Sequence, residues 1–213
     1  STNPATNEPL LDHLADLLVA RNYDLKAVMR EIMNSRTYQL SSVPDESSAD
    51  DEQNYSHHLV TRLPAEVLLD GVCQATGVPE EYPGVPSGTR AVQLWDNRLP
   101  SYFLETFGRS QRESPCECGK SGEPTMAQAL HLMNAPEIQA KLGAATGRAA
   151  KLVASGADRA ELVEQLCLAT VGRPSNERER AIAAKLFDSA APREAAEDFL
   201  WTLLNSYDFL FLK

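Results

Sequence analysis

Positive charge is scarce in this chain: 20 Lys and Arg stand against 30 Asp and Glu, a formal charge of -10 over 213 residues. Such a surface repels a phosphate backbone instead of displacing its counterions, so nucleic-acid binding is not expected. Long hydrophobic runs are missing too. The most apolar stretch, Phe199 to Leu212, is broken by Asn205, Ser206 and Asp208, short of the roughly 20 residues a membrane-spanning helix needs, so direct membrane insertion is not expected either. Four cysteines, Cys73, Cys116, Cys118 and Cys167, are too few and too scattered for a disulfide framework, and they leave the redox compartment open. No G-x-S-x-G, Walker lysine loop or G-x-G-x-x-G occurs, and Asp50-Asp51-Glu52 lacks the spaced ligands of a calcium loop. Hydrolase and nucleotide-binding readings lose their usual support.

What is present is an ordinary globular composition, 43% hydrophobic and 23% charged, in a length that suits one domain or two small ones. The chain begins Ser1-Thr2-Asn3-Pro4 without methionine and meets a helical pattern by Glu8, which reads as a cut or processing site. Leu10, Leu11, Leu14, Leu17 and Leu18 form the stripe of an amphipathic helix over about 8–21. Asp24 then caps a second helix that carries Leu25, Val28, Met29, Ile32 and Met33, making a helical hairpin. Residues 41–54 hold five acids and no base and read as an exposed connection.

Pro64 opens a third helix, with Val67, Leu68 and Val72 expected inside and a stop near Gly77. Between Pro79 and Gly88 half the residues are Pro or Gly, which forbids regular structure. A short extended piece is expected over Thr89–Trp95. A short helix follows over Leu99–Phe107, with Tyr102, Phe103 and Phe107 packed, and then an irregular stretch to Glu123. Pro124 opens a helix with Met126, Ala129, Leu130 and Met133 expected on the core face, and Asn134 to Glu137 resembles a capping box for the next. Asp158 and Gly172 bracket another helix, Ser175 is the expected cap of a charged one, and the last carries Ala196, Phe199, Leu200, Leu203, Leu204 and Tyr207. Ile32-Met33-Asn34-Ser35 with Tyr38 echoes Leu203-Leu204-Asn205-Ser206 with Phe209, as two like helix endings or as a coincidence of helix punctuation.

The fold class is therefore all-α: an irregular multi-helix bundle of about eight helices, with long loops near 41–54, 79–98 and 108–123. A single domain over 1–213 is expected, with a possible sub-division near 79–123.

Cys116-Glu117-Cys118 is the sharpest chemical feature, since two thiolates one residue apart can hold a soft metal or act as a redox pair. Zinc sites normally pair C-x-x-C with a second such pair, which is absent, so two half-buried thiols or a disulfide stapling the loop is the alternative. Arg109, Arg112 and Lys120 nearby would depress a thiol pKa. His131 shares a helical stripe with Gln128 and Asn134, beside the core. It reads as a hydrogen-bonding histidine, or as a ligand or base should the cysteine loop fold over it. His57 and His58 are adjacent and point apart, so a shared metal is not expected.

Several segments together resemble one family: Leu10-Leu11-Asp12, Ser35 to Ser41, Arg62-Leu63-Pro64-Ala65-Glu66 with Asp70, Pro124 to Asn134, Gly172-Arg173-Pro174, and Leu203 to Phe209. This is the planctomycete secreted-domain family, a C-terminal domain of unknown function in large exported proteins. The resemblance implies that the chain is the C-terminal part of a larger protein with an exported or cell-envelope location, whose partners are the upstream domains of the same polypeptide. It also implies a cytochrome-c-like domain upstream. The chain has no C-x-x-C-H, so no cofactor is expected in it and any haem belongs to that upstream part.

The function expected from all this is a non-catalytic helical binding or scaffolding module. One alternative is a redox or metal-dependent enzyme domain built on Cys116, Cys118 and His131 with Arg109 and Arg112. Another is recognition of acidic polysaccharide by Arg109, Arg112 and Lys120.

Overall fold

The structure is a computed structural model and describes residues 7–46, 48–51, 54–95, 99–109 and 125–212. The chain divides into two units at 60/61. The described part of 79–123, where composition suggested a sub-division, stays within the second unit.

The first unit is the expected hairpin, α1 (Glu8–Ala20) and α2 (Leu25–Asn34). Asn7 Oδ1 accepts from the Leu10 amide at 3.2 Å and caps α1. Asp24 Oδ1 accepts from the Lys26 and Ala27 amides at 2.9 and 3.1 Å and caps α2. Asn22 and Tyr23, with φ of 51° and 61°, make the reversal between them. Leu14, Leu17 and Leu18 are half-buried, as are Ala27 and Val28, while Leu11, Leu25, Met29 and Met33 stay exposed.

The second unit opens on strand β1 (Thr61–Arg62) and helix α3 (Ala65–Thr76), followed by a 3-10 turn (Ala91–Gln93) and α4 (Tyr102–Thr106). Then come α5 (Met126–Asn134), α6 (Pro136–Leu142), α7 (Arg148–Ala154), α8 (Arg159–Val171), α9 (Glu177–Ser189), α10 (Pro192–Leu204), α11 (Tyr207–Leu210) and strand β2 (Phe211–Leu212). Among the described residues the fold is all-α apart from the antiparallel β1–β2 pair, whose register sets Thr61 opposite Leu212 and Arg62 opposite Phe211. Helix α10 is the hub, packed by α7, α8 and α9 and touched by α3 and α6. Its buried face holds Ala196, Phe199, Leu200, Leu203 and Leu204 as expected, with Ala195 added, whereas Tyr207 lies beyond it in α11 and is exposed. Leu68 and Val72 of α3 and Leu166 of α8 complete the centre.

Several local expectations are corrected. Pro64 precedes α3 as its cap residue, Val67 is exposed, and Leu69 takes its place inside beside Leu68 and Val72. Thr89–Trp95 holds the 3-10 turn instead of an extended piece. In α4, Phe103 is buried and Tyr102 exposed. Helix α6 begins on Pro136 with no side-chain cap, so Asn134 to Glu137 is not a capping box. Asn176, not Ser175, caps α9, its Oδ1 accepting from the Glu179 amide at 2.9 Å.

The largest correction concerns α5. Met126, Leu130 and Met133 are exposed, and the buried face is Gln128, His131 and Leu132. Gln128 goes inside because it finds partners there. Gln128 Nε2 donates to the Thr106 carbonyl at 3.0 Å while its Oε1 accepts from the Thr125 amide at 3.1 Å.

Candidate functional site

A cleft of about 400 Å³ opens where α3 runs into the loop 78–90. The helix brings Asp70, Cys73 and Gln74 to one wall, and the loop brings Glu80, Thr89 and Arg90 to the other. Gly77 ends α3 in the left-handed conformation, φ 71°, and its amide donates to the Cys73 carbonyl at 2.9 Å, which turns the chain into the loop. Two further carbonyls of that helix end are taken by Arg148 of α7. Its Nε donates to Ala75 O at 2.9 Å and its Nη2 to Gln74 O at 2.8 Å.

Asp70 is the one charged side chain among the buried residues of α3. It accepts from the Ala91 amide at 2.6 Å, the Val92 amide at 3.3 Å and Arg90 Nε at 3.2 Å. It thus caps the 3-10 turn from a helix some twenty residues earlier, satisfying amides that the turn cannot satisfy itself. Lys141 of α6 does the matching work on the loop. Its buried ammonium donates to Pro79 O at 2.8 Å and Val78 O at 3.3 Å and pairs with Glu80 Oε2 at 3.0 Å.

Burial pushes the half-buried Cys73 thiol up, with Lys141 opposing and Glu80 and Asp70 adding to the rise. Burial, and then the negative groups around it, also hold the Tyr82 phenol well above its ordinary range. The Tyr82 hydroxyl is buried without a hydrogen-bond partner among the described residues. At neutral pH the cleft therefore presents a protonated thiol.

The residues singled out from sequence fall elsewhere. Cys116, Cys118, Arg112 and Lys120 lie outside the described residues. Arg109 is half-buried and donates from Nη2 to Leu99 O at 2.9 Å. His131 sits among Tyr102, Phe103 and Phe107, with ring centroids at 5.2, 5.5 and 6.0 Å. Its Nε2 is 3.2 Å from Glu137 Oε1, off the direction of a hydrogen bond. Burial pushes its pKa down against the pull of that carboxylate. His58 meets Tyr38 edge-on, with centroids 6.3 Å apart.

Two of the motif segments, Gly172–Pro174 and Leu203–Phe209, are joined directly by Arg173 and Asp208, and Arg62 and Leu63 of a third bond to residues outside the motifs. Arg62 Nη2 donates to Phe107 O at 3.1 Å, and the Leu63 amide donates to Leu210 O at 3.0 Å. Arg173 grips Glu179 with two bonds of 2.8 and 3.0 Å and reaches Asp208 Oδ2 through Nε at 3.1 Å and also through Nη2. A protein-family model described as PSD1, protein of unknown function (DUF1553), matches residues 1–187.

The chain belongs to the PSD1 family.

No curated protein and no solved structure matches it. Within the PSD1 match lie both the α3 cleft and the Arg173–Glu179 grip, whereas Asp208 and β2 lie beyond its last residue. Sequence reasoning noticed Asp70 only as part of a motif. The signal that marks the cleft is a carboxylate set among the apolar residues Leu68, Leu69 and Val72 of α3, followed by a Pro- and Gly-rich loop.

Proposed function

We propose that this PSD1 chain is a non-catalytic helical binding module, at work within a larger exported protein that carries a cytochrome-c-like domain upstream. The observation that carries the binding reading is the α3 cleft, whose polar walls are pinned in advance, Asp70 by three donors and Lys141 by three acceptors. Walls fixed in this way lower the ordering cost of taking up a ligand. The same bonds give Asp70 and Lys141 a structural task, the one holding the turn and the other the loop. Cys73, kept protonated by burial, is a poor nucleophile.

The exported setting, the cell-envelope location and the upstream domains as partners rest on the family resemblance. On this reading the cleft takes a polar segment of those upstream domains, hydrogen-bonded by Gln74 and Thr89. Alkylation of Cys73 by iodoacetamide, followed peptide by peptide by mass spectrometry, tests it. Cys73 reacts several times more slowly in the whole polypeptide than in this chain alone if the cleft is filled, and equal rates refute the proposal. Recovery of the whole polypeptide from the cytosolic fraction would overturn the exported setting.

A further inference from the structure

On α10, a second open cavity of about 350 Å³ lies against α5 and α6, remote in sequence from the α3 cleft. Its walls are the Trp201 indole, Met133, Leu142 and Gln139, with the carboxylates of Glu197 and Asp198 beside them. Glu197, Asp198 and Trp201 fall at i, i+1 and i+4 of one helix, which brings both carboxylates to the edge of the indole.

Hydrogen-bond accounting gives the cavity a direction. Trp201 Nε1 donates to Met133 O at 3.1 Å, and Gln139 Nε2 donates to the same carbonyl at 3.3 Å. Arg193, the neighbouring cation, spends Nε on Glu197 Oε1 at 2.8 Å and Nη2 on Gly143 O at 2.8 Å. The single indole donor is thereby committed to a protein acceptor, and Arg193 is held by Glu197 and the Gly143 carbonyl. What faces the cavity is acceptor chemistry: the second oxygen of Glu197, the exposed carboxylate of Asp198 and the amide oxygen of Gln139. The indole adds the negative face of an aromatic ring, and its Nε1 bond fixes the ring in place. Leu142 and the Met133 thioether supply an apolar wall that suits a methylene chain.

We propose that this cavity is a binding site for an alkylammonium group, such as a lysine side chain or a free diamine, with the aliphatic stem on Trp201 and Leu142 and the ammonium donating to Asp198 and Glu197. A neutral or anionic ligand of the same shape is refused, because it would leave these acceptors unpaired or repelled. The site stands on residues other than those of the α3 cleft, so it holds or fails independently of the binding reading given above.

The test is a titration of the 15N-labelled chain, followed at the Trp201 indole N–H resonance, which is assigned by its loss in Trp201→Phe. The probes are Nα-acetyl-lysine methylamide, 1,5-diaminopentane, and the neutral Nε-acetylated form of the first. The expected result is a saturable shift with at least one of the two amines and none with the neutral form, the tighter amine naming the source of the ligand. Asp198→Asn, at an exposed position that leaves the fold intact, weakens binding about tenfold, the size of one charge-assisted hydrogen bond. Added salt weakens it in the same direction. An equal response to the neutral form overturns the proposal. So does the absence of any saturable shift, or an unaltered affinity in Asp198→Asn.

Discussion

Removing the Asp70 carboxylate is the perturbation that most directly probes how the α3 cleft is built. In Asp70→Ala the Ala91 amide, at a residue that is buried, loses its acceptor at 2.6 Å. An orphaned buried donor costs about 1–3 kcal/mol. The Val92 residue is 41% exposed, so its amide recovers water and adds little. Arg90 pairs with Asp70 at 3.2 Å, but its side chain is 63% exposed, and such a pair is worth at most about 1 kcal/mol. Together these give a loss of about 1–4 kcal/mol, or roughly 2–16 °C in Tm for a chain of this size. Asp70→Asn keeps one oxygen for the Ala91 amide and falls about midway. Urea unfolding gives the global figure, and amide hydrogen exchange supplies the local one, with Ala91 losing protection first. Arg90→Ala should change stability by less than about 1 kcal/mol. If Arg90→Ala proves as costly as Asp70→Ala, the ion pair and not the turn amide holds the loop, and the reasoning is refuted.

Other consequences are as readily measured. Arg173→Ala strands Glu179 and Asp208, and with the arginine about one-third exposed the loss at neutral pH should be about 1–3 kcal/mol. Arg173 holds the Glu179 carboxyl below its ordinary range, so this contribution is present above about pH 4.5 and fades as the pH falls; urea midpoints from pH 7 to 3 should show variant and parent converging. Burial depresses the His131 pKa, so the unfolded chain binds the proton first as pH falls below about 6.5, and the parent loses stability there while His131→Phe stays flatter. Identical slopes between pH 7 and 5 would remove His131 from that account. Cys167 is fully buried and its thiol is pushed up to about 12, so iodoacetamide at mildly alkaline pH should modify Cys73 and spare Cys167; the reverse order, read by peptide mapping, would contradict the burial described.

Helices whose ends carry local signals were legible in the sequence. Asp24 and Asp158 cap as their spacing indicates, and Gly77 and Gly172 stop their helices in the left-handed conformation, because these choices depend on a few adjacent residues. Which face turns inward is not local. The apolar Met126, Leu130 and Met133 suggest one side of α5, yet Thr106 and three aromatic rings of the neighbouring helix and its end favour Gln128 and His131 on the other. The echo of two helix endings breaks for the same reason: Phe209 is buried beneath α3, close to Gly71, while Tyr38 is half exposed. The α3 cleft was illegible because its parts come from residues 70–93 and from Lys141 of α6, brought together only by packing. Cys116 and Cys118, the most conspicuous residues in the sequence, lie outside the described residues.

The two-residue strands have a mechanical meaning. Because Thr61 lies opposite Leu212 in an antiparallel pair, the second unit enters and leaves at one spot. Tension applied across residues 61 and 212 would therefore peel the clasp open bond by bond, as a zipper, instead of shearing it. The Leu63–Leu210 bond takes the load next, and only after that does the strain reach α3 and α10. A unit tethered in this way behaves as a side loop on a taut line: the clasp yields at low force, and the helical body behind it stays folded.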